Sequence, residues 1–179
     1  MSVTIFEANL DDPIHQEAVR GLLDAYAADP MGRGEPLSES VKHELIDGLK
    51  SHPTTLILLA FSDDRPAGVA VCFRGFSTFA ARPLLNIHDL AVFPEFRGQG
   101  VGRRLLEETH RRAAGLGCCK VTLEVREDNH RAQGLYRSMG YGQGNGDTVG
   151  MLFWERRVDQ GKLAGSDQRG SVAVNFSPI

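Results

Sequence analysis

Cysteine is scarce in this sequence, and the three cysteines form no recognisable framework. Cys118 and Cys119 are neighbours, while Cys72 lies far from both in the sequence. An odd number of cysteines without regular spacing argues against a small secreted protein held together by disulfides. The spacing of cysteine and histidine that is typical of zinc sites is also missing. The sequence therefore predicts no metal site and favours a cytoplasmic location.

Long apolar runs and an excess of basic residues are absent as well. No stretch approaches the length of a membrane span, and the first residues, MSVTIFEANLDD, lack a basic region followed by an apolar one. The 20 Lys and Arg residues against 23 Asp and Glu residues give a formal net charge of −3, so nothing indicates a nucleic-acid partner. The 179 residues, 41% of them hydrophobic, are typical of one globular domain that acts away from membranes.

What the sequence does contain is a buried-strand pattern followed directly by a glycine-rich turn, LLNIHDLAVFPEFRGQGVGRRLL at residues 84–106. The apolar run suits a central strand covered on both faces, and Pro94 ends it because proline lacks the N–H that a strand ladder needs. Gly98, Gly100 and Gly102 then lead into a helix whose first N–H groups have no partner within the helix. Because glycine lets an anion lie directly against such a backbone, the turn predicts a pyrophosphate site.

Two common phosphate-binding motifs are absent from this turn, and a third pattern is present. A Walker A motif would need Gly-Lys-Ser/Thr, and the dinucleotide pattern G-x-G-x-x-G lacks its third glycine. The pattern R-x-x-G-x-G runs from Arg97 to Gly102, and a second pattern, N-x-x-A-x-x-L-Y-x-x-x-G-Y, runs from Asn129 to Tyr141. With these two motifs, separated by one predicted helix and one predicted strand, the chain resembles the GNAT superfamily of N-acetyltransferases over about residues 3–157.

Hydrophobic periodicity and turn signals predict where the strands and helices lie. The predicted strands are 3–9, 54–61, 67–76, 84–93, 119–126, 141–143 and 148–157, with a longer loop at 74–83. The predicted helices follow Asp11 or Asp12, Ser38, the glycine-rich turn, and Asp128 or Asn129. The apolar positions of the first two helices that are predicted to share a face include Ile14 and Val41.

The resemblance implies an α/β (α+β) fold with a mixed, mostly antiparallel central sheet. This sheet is expected to have six to seven strands, to be flanked by about four helices, and to splay between its fourth and fifth strands. Residues 1–157 would form the single acetyltransferase domain. Residues 158–179, where Gly, Ser, Asp and Gln dominate, are predicted to be a loose tail that catalysis does not need.

The resemblance also implies acetyl-CoA as co-substrate, bound by the turn and by the strand before it. The pyrophosphate is expected on the backbone N–H groups of the turn, helped by the charges of Arg97 and Arg103. The pantetheine arm is expected to bind an unpaired edge of the fourth strand, where a backbone N–H would donate to the thioester oxygen. The residues expected to contact acetyl-CoA are Leu90, Ala91, Val92, Arg97, Gly98, Gln99, Gly100, Val101, Gly102, Arg103, Asn129 and Tyr136.

Acetyl transfer to an amine also needs a group that removes a proton, because an ammonium ion has no lone pair with which to attack. His88 is one candidate, since a histidine can accept a proton near neutral pH. The alternation of a strand predicts His88 on the face of Leu90 and Val92, with Asp89 on the opposite face. A buried histidine bonded to a neighbouring carbonyl is an equally open interpretation of His88.

Several further residues are candidates for the acceptor side of the site. Asp89 is either the base, a binding partner for a cationic amine, or a structural partner of a loop N–H, and Glu124 is a third candidate base. The resemblance places the loop with Phe76 and Thr78 beside the acceptor pocket, although loop aromatics can equally cover the core. The predicted substrate-binding residues are Phe76, Thr78, Asp89 and Glu124.

Tyr136 is the candidate general acid. By the resemblance, its hydroxyl is expected to point at the sulfur of CoA and to donate a proton to the leaving thiolate. The competing interpretation is a core tyrosine packed with Leu135 and Tyr141.

Together these features predict an N-acetyltransferase that moves an acetyl group from acetyl-CoA to a primary amine by direct attack in a ternary complex. The acceptor is left open between a polyamine, an aminoglycoside, an amino acid, and a protein N-terminus or lysine, and a homodimer is left open as well. The alternative is a non-catalytic acyl-CoA-binding or sensing module, which would not need an acid at the sulfur. Acylation of aminoacyl-tRNA is disfavoured by the acidic balance of the sequence.

Overall fold

A computed structural model describes residues 2–142, which form one sheet with helices on both faces. The strands lie side by side in chain order, with antiparallel neighbours from the first to the fourth and a parallel pairing between the fourth and fifth. This mixed, mostly antiparallel sheet confirms the predicted fold class. None of the helices in this part of the chain is both long enough and apolar enough to span a bilayer. In chain order the elements are β1 (Val3–Glu7), α1 (Pro13–Ala28), α2 (Glu39–Ser51), β2 (Thr55–Ser62), β3 (Arg65–Ser77), β4 (Arg82–Val92), α3 (Val101–Gly115), β5 (Val121–Leu123) and α4 (His130–Ser138).

The alternation of side chains along β2 divides the core into two layers. Leu58 packs with Leu105 of α3, and Leu59 packs with Leu22 of α1, all four side chains being buried. Because successive residues of a strand point to opposite faces, α1 and α3 lie on opposite sides of the sheet. Coverage on both sides explains why the central strands are apolar on both faces.

Local capping interactions begin the helices where the sequence predicts them. The Oδ1 atom of Asp12 accepts from the N–H of Ile14 at 2.8 Å, and Ser38 and Asn129 cap α2 and α4 in the same way. Such side chains satisfy N–H groups that the first turn of a helix leaves without a partner. The prediction of which helix side chains face the core is less accurate. Ile14 and Val41, which were predicted to face inward, are exposed by 67% and 40%.

The structure corrects the lengths of several predicted strands. The loop predicted at 74–83 is mostly strand, because β3 and β4 pair as far as Ser77 and Arg82 and leave only residues 78–81 for the turn. The strand predicted at 119–126 is only β5, since its pairing with β4 ends at Leu123. Residues 2–142 therefore contain five strands rather than six to seven. The two remaining predicted strands and the predicted tail lie at or beyond the end of the described residues.

Gly68 allows α3 to lie close to the sheet, and its replacement is expected to destabilise the fold. A Cβ atom at this position would lie 2.9 Å from the carbonyl oxygen of Ala91, 3.1 Å from Leu105 and 3.2 Å from Val101. The carbonyl belongs to β4 and cannot move without disturbing the ladder between β3 and β4. We therefore expect Gly68→Ala to lower the free energy of unfolding by about 1–3 kcal/mol, as overpacking generally does.

Chemical denaturation measures this effect, with Gly48→Ala as the matched control. Gly48 lies within α2, and a Cβ atom at this position would meet no atom of another element within 4 Å. Alanine should raise stability there by about 0.5–1 kcal/mol, because it favours the helix and restricts the unfolded chain. A Gly68→Ala variant as stable as the wild type would contradict the tight contact between α3 and the sheet.

Candidate active site

The candidate site is organised around a gap between β4 and β5. Residues 85–87 of β4 pair with residues 121–123 of β5, and the parallel ladder ends there. Beyond this point, β4 continues to Val92 without a neighbouring strand on that edge in the part of the chain that the structure describes. The pairing between the fourth and fifth strands therefore ends partway along β4, at the place where the resemblance implies that the sheet splays.

Backbone groups of β4 face into this gap. The N–H of Phe93 donates to Ala67 of β3 at 3.0 Å, so the preceding residue, Val92, directs its backbone groups to the opposite edge. Its carbonyl accepts a hydrogen bond from Nε of Arg97 at 3.0 Å rather than from a strand. An edge of this kind can bind an extended ligand through main-chain hydrogen bonds.

The turn between β4 and α3 presents a row of backbone N–H groups. Gly98 and Gly100 have φ angles of 78° and 83°, a left-handed conformation that glycine adopts without strain. The hydrogen bonds of α3 begin with the N–H of Arg104 donating to Gly100. None of the hydrogen bonds of normal geometry among residues 2–142 has an N–H group of residues 98–103 as its donor. Together with the positive end of the helix dipole, these donors fit a phosphate group.

The two arginines that were expected to assist the pyrophosphate are engaged with protein groups. Nη2 of Arg97 forms an ion pair with Oδ2 of Asp29 at 2.7 Å. Nη2 of Arg103 donates to the hydroxyl of Ser138 at 2.8 Å. Asp29 therefore offsets part of the charge of Arg97, whereas Arg103, which is bound to neutral groups, keeps its full positive charge beside the turn.

A bulge in β4 sets the positions of His88 and Asp89. Val71 of β3 pairs with Asp89, whereas the next residue, Cys72, pairs with Ile87, so His88 is the extra residue. A bulge interrupts the alternation of side chains along a strand. The predicted face of His88 is therefore wrong, whereas Asp89, which pairs with Val71, lies on the face opposite to Leu90 and Val92 as predicted.

Contacts on either side of the sheet show where the bulge directs these residues. Leu90 and Val92 pack with the core layer of α3, while Ala91 belongs to the layer of α1. The ring of His88 contacts Phe73 of the α1 layer, with 5.6 Å between centroids, so it does not share the face of Leu90 and Val92. The side chain of His88 is exposed, which also rules out the interpretation as a buried, carbonyl-bonded histidine.

Asp89 pairs with Val71 of the core layer that faces α1, and Tyr26 of α1 packs against the same layer. Burial raises the pKa of the Asp89 carboxyl, and the neighbouring His88 partly offsets this effect. Burial also raises the pKa of Tyr26, and the negative charges of Asp89 and Asp29 raise it further. Sequence reasoning missed Tyr26 as a site residue. The sequence feature that could have indicated it is the position of this tyrosine in the last turn of α1, shortly before the acidic residue that ends the helix.

Glu124 lies at the opening of the gap, directly after the last residue of β5. Nδ2 of Asn86 donates to Thr122 at 3.1 Å and to Oε2 of Glu124 at 3.4 Å. This amide bridges β4 and β5 where the two strands separate. His88, Asp89 and Glu124 therefore all follow directly after the last pair of the ladder, on the two walls of the gap.

Tyr136 of α4 packs against the core layer of α3, the layer to which Leu90 and Val92 of β4 also belong. Its ring packs against Tyr141, with 5.8 Å between centroids, and its hydroxyl has no hydrogen-bond partner among residues 2–142. Burial raises the pKa of Tyr136 to about 12, and the charge of Tyr26 contributes to a smaller degree. Asn129 caps α4 through Oδ1, at 3.1 Å from the N–H of Ala132, so this oxygen is already used within the protein.

The structure does not bring Phe76 and Thr78 to these residues. Phe76 pairs with Pro83 near the tip of the β3–β4 hairpin and is exposed by 62%, and Thr78 lies in the turn itself. His88 lies five positions after Pro83 along the strand, which corresponds to roughly 16 Å at the usual rise of a strand. Acceptor contacts from this hairpin would require a large substrate.

An unpaired strand edge beside a glycine-rich turn, with α4 packed next to both, fits the class of acyl-CoA-dependent transferases. The model of the Acetyltransferase (GNAT) family matches residues 19–141, well over half of the chain, and the chain belongs to this family.

Two named relatives match the chain over part of their length. N-alpha-acetyltransferase RimI of Mycobacterium tuberculosis is 40% identical over 79 residues, which are 43% of this chain and 48% of that protein. Thialysine N-epsilon-acetyltransferase of Bos taurus is 33% identical over 73 residues, which are 41% of this chain and 42% of that protein. The chain therefore spans less than half the length of either relative.

The fold is similar to that of solved acetyltransferases. An aminoglycoside N-acetyltransferase in complex with CoA superposes with a TM-score of 0.67 over 88% of this chain and 96% of that chain, at 19% sequence identity. At this identity the similarity concerns the fold.

Proposed function

We propose that this protein is an N-acetyltransferase that moves the acetyl group of acetyl-CoA to a primary amine by direct attack in a ternary complex. The observation that carries the proposal is that three features lie where the turn, the end of β4 and α4 meet, since a Cβ atom at Gly102 would lie 3.2 Å from Leu135 and 3.8 Å from Val92. They are the N–H groups of residues 98–103, the unpaired edge of β4, and the hydroxyl of Tyr136. The N–H groups suit a pyrophosphate, the edge suits an extended pantetheine arm, and the hydroxyl suits a thioester sulfur.

The protein groups have distinct tasks in this proposal. The backbone of residues 98–103 holds the pyrophosphate, and Leu90–Val92 bind the arm and donate to the thioester oxygen as charge develops on it. The unprotonated amine attacks the thioester carbon, a C–N bond forms, and the C–S bond breaks. The leaving thiolate takes the proton of the Tyr136 hydroxyl, and the excess proton of the amine passes to a base at the mouth of the gap.

A cationic acceptor suits the residues at that mouth. Asp89 is partly buried there without a cationic partner among residues 2–142 other than the neighbouring His88, and Glu124 lies across from it. A partly desolvated carboxylate interacts more strongly with an ammonium group than an exposed one does. The carboxylates at this entrance favour a primary amine as the acceptor, which arrives protonated and loses its proton at the site.

A CoA-release assay over a panel of amines tests the proposal. The names of the two relatives suggest a peptide with a free N-terminus and thialysine, and a polyamine and an aminoglycoside complete the panel. Each amine is paired with its N-acetylated form as the control, because only a free amine can attack. Turnover is expected with at least one free amine. Tight binding of acetyl-CoA without any turnover would instead favour a non-catalytic acyl-CoA-binding module.

The acid limb of kcat/KM is expected to depend on His88 and Asp89, and two variants separate their roles. If His88 is the base, His88→Ala removes the limb. If Asp89 is the group that must be ionised, Asp89→Asn removes the limb, while His88→Ala only shifts it to higher pH. The shift follows because His88 lowers the pKa of Asp89. Unchanged profiles in both variants would leave Glu124 or water as the proton acceptor.

Stability measurements on Asp89→Asn serve as the control for this experiment. Because burial raises the folded-state pKa of Asp89 above its ordinary value of 3.8, the ionised carboxylate destabilises the folded protein. The variant should therefore be at least as stable as the wild type at neutral pH. This gain should shrink as the pH falls toward 3.8. An active-site role combines this gain in stability with a loss of activity, whereas a structural role loses both together.

A further inference from the structure

Arg97 opens the glycine-rich motif, yet its side chain points away from the turn that would hold the phosphate. Its Nη2 lies 2.7 Å from Oδ2 of Asp29, and its Nε donates to the carbonyl of Val92 at 3.0 Å. The side chains of Arg97 and Asp29 are exposed by only 34% and 15%. Charge-assisted hydrogen bonds that are shielded in this way are stronger than those on the open surface.

Asp29 is the residue around which the loop after α1 folds. Its N–H caps the helix by donating to Ala25 and Tyr26, and its carbonyl accepts from Gly32 at 2.8 Å and from Gly34 at 3.2 Å. Its Oδ1 accepts from the N–H of Met31 at 2.8 Å, which leaves Oδ2 for the arginine. These bonds hold the pKa of Asp29 below its ordinary value, with the bond from Met31 as the largest cause and that from Arg97 as the next. The loop thus depends on one carboxylate, and that carboxylate is anchored to Arg97.

The location of this anchor connects two parts of the site. On one side, Arg97 directly precedes the N–H groups of residues 98–103 and holds the carbonyl at the end of the free edge of β4. On the other side, Asp29 ends the helix whose last turn carries Tyr26, which packs against the same core layer as Ala91 of β4. The turn and the last turn of α1 are therefore joined through two hydrogen-bonded side chains.

We propose that Arg97 is a positioning residue for the amine acceptor: through Asp29 it fixes the loop at residues 29–36 and the end of α1 according to the state of the cofactor turn. This inference rests on the proposed function, because it assigns the acceptor to the α1 side of the gap. It differs from the expectation that Arg97 holds the pyrophosphate, and the two assignments make opposite predictions for kinetics.

Steady-state kinetics distinguish the positioning role of Arg97 from a role in binding the pyrophosphate. The test variants are Arg97→Gln and Asp29→Asn. Asparagine keeps an oxygen for the N–H of Met31 and removes only the charge that binds Arg97. We expect each variant to raise KM for the amine about 10-fold while Kd for acetyl-CoA stays within about two-fold. The double variant should be no worse than either single one, because both remove the same interaction. Arg97→Lys, which can keep the ion pair, should restore part of the loss.

Arg65→Gln is the matched control, because it also removes an arginine that forms an ion pair beside the turn. Arg65 binds Glu95 at 3.3 Å, only two residues before Arg97, and both partners are well exposed. The KM values of Arg65→Gln for acetyl-CoA and for the amine should equal those of the wild type. If Arg97→Gln instead weakens acetyl-CoA binding about 10-fold, and Asp29→Asn leaves both KM values unchanged, Arg97 binds phosphate and the proposal is overturned.

Hydrogen exchange provides a readout that does not depend on turnover. CoA should slow exchange at the N–H groups of Met31, Gly32 and Gly34 in the wild type, and this protection should be lost in Arg97→Gln and Asp29→Asn. Protection in the wild type without turnover of any amine would refute the proposed function and leave the connection between turn and loop intact. Absence of protection in the wild type, or equal protection in all three proteins, would overturn the connection itself.

Discussion

Replacing Tyr136 by phenylalanine is expected to lower kcat by at least tens-fold, up to the ~10²–10⁴ that general acid catalysis contributes. Phenylalanine keeps the ring and its packing against Tyr141, and it deletes only a hydroxyl that no group among residues 2–142 binds. A hydroxyl without a partner in the protein contributes little to stability, so the fold and the affinity for acetyl-CoA should be nearly unchanged. The expected loss is therefore confined to the step in which the thiolate leaves.

The pH profile adds a second test of the same assignment. Because burial raises the pKa of Tyr136 to about 12, the hydroxyl keeps its proton throughout the range from pH 6 to 10. Loss of the Tyr136 proton should then not produce a basic limb in kcat within this range. The ratio of wild-type to variant kcat should remain constant across it.

Tyr141→Phe is the matched control for Tyr136→Phe. The two rings are neighbours, but the hydroxyl of Tyr141 is hydrogen-bonded to Nε2 of His110 at 2.8 Å and belongs to the packing between α3 and α4. Its removal should lower stability slightly and leave kcat close to that of the wild type. A wild-type kcat in Tyr136→Phe at every pH would make Tyr136 a packing residue and assign protonation of the sulfur to solvent.

Replacing Gly100 by valine is expected to abolish detectable binding of acetyl-CoA. Gly100 caps α3 with a φ of 83°, and space is open around its Cα, so a side chain there meets no protein atom but extends over the N–H groups of the turn. Valine would therefore occupy the surface that a phosphate needs, and its preference for negative φ would also disturb the turn. Calorimetry with CoA measures the affinity, and circular dichroism establishes that the variant is folded.

Gly117→Val controls for the conformational strain. Gly117 lies just after the other end of α3, with a φ of 69° and equally open surroundings. Both variants should lose roughly 1–2 kcal/mol of stability, because both place a side chain in the left-handed region. Only Gly100→Val should lose CoA affinity. Unchanged affinity in Gly100→Val would remove the pyrophosphate from this turn.

The features that the sequence predicted correctly depend on residues close together in the chain. Asp12, Ser38 and Asn129 cap their helices through N–H groups two or three residues away. The glycine-rich turn that leads from β4 into α3 follows from a motif of six residues. Bonds within one helical turn form almost regardless of what packs around them, and for this reason local patterns predict them.

The long β3–β4 hairpin is a feature that the local pattern concealed. Gly75 and Pro83 both suggest an interrupted chain, and the sequence accordingly predicts a loop. In the structure, each pairs across the hairpin in register with a residue of the other strand. Proline tolerates this position because it lies near the end of the ladder, where no third strand needs its missing N–H.

The sequence by itself determined the family and the glycine-rich turn and singled out Tyr136 as the candidate acid, since each belongs to a short motif whose chemistry is local. Only the tertiary structure decided which way the side chains around these motifs point. The bulge at His88 arises from how β4 registers against β3, and it places His88 on the α1 side of the sheet, against Phe73. The guanidinium of Arg97 meets a carboxylate 68 positions earlier in the chain instead of the turn beside it. Strand register and long-range ion pairs depend on which surfaces meet when the core closes, and no window of neighbouring residues contains that information.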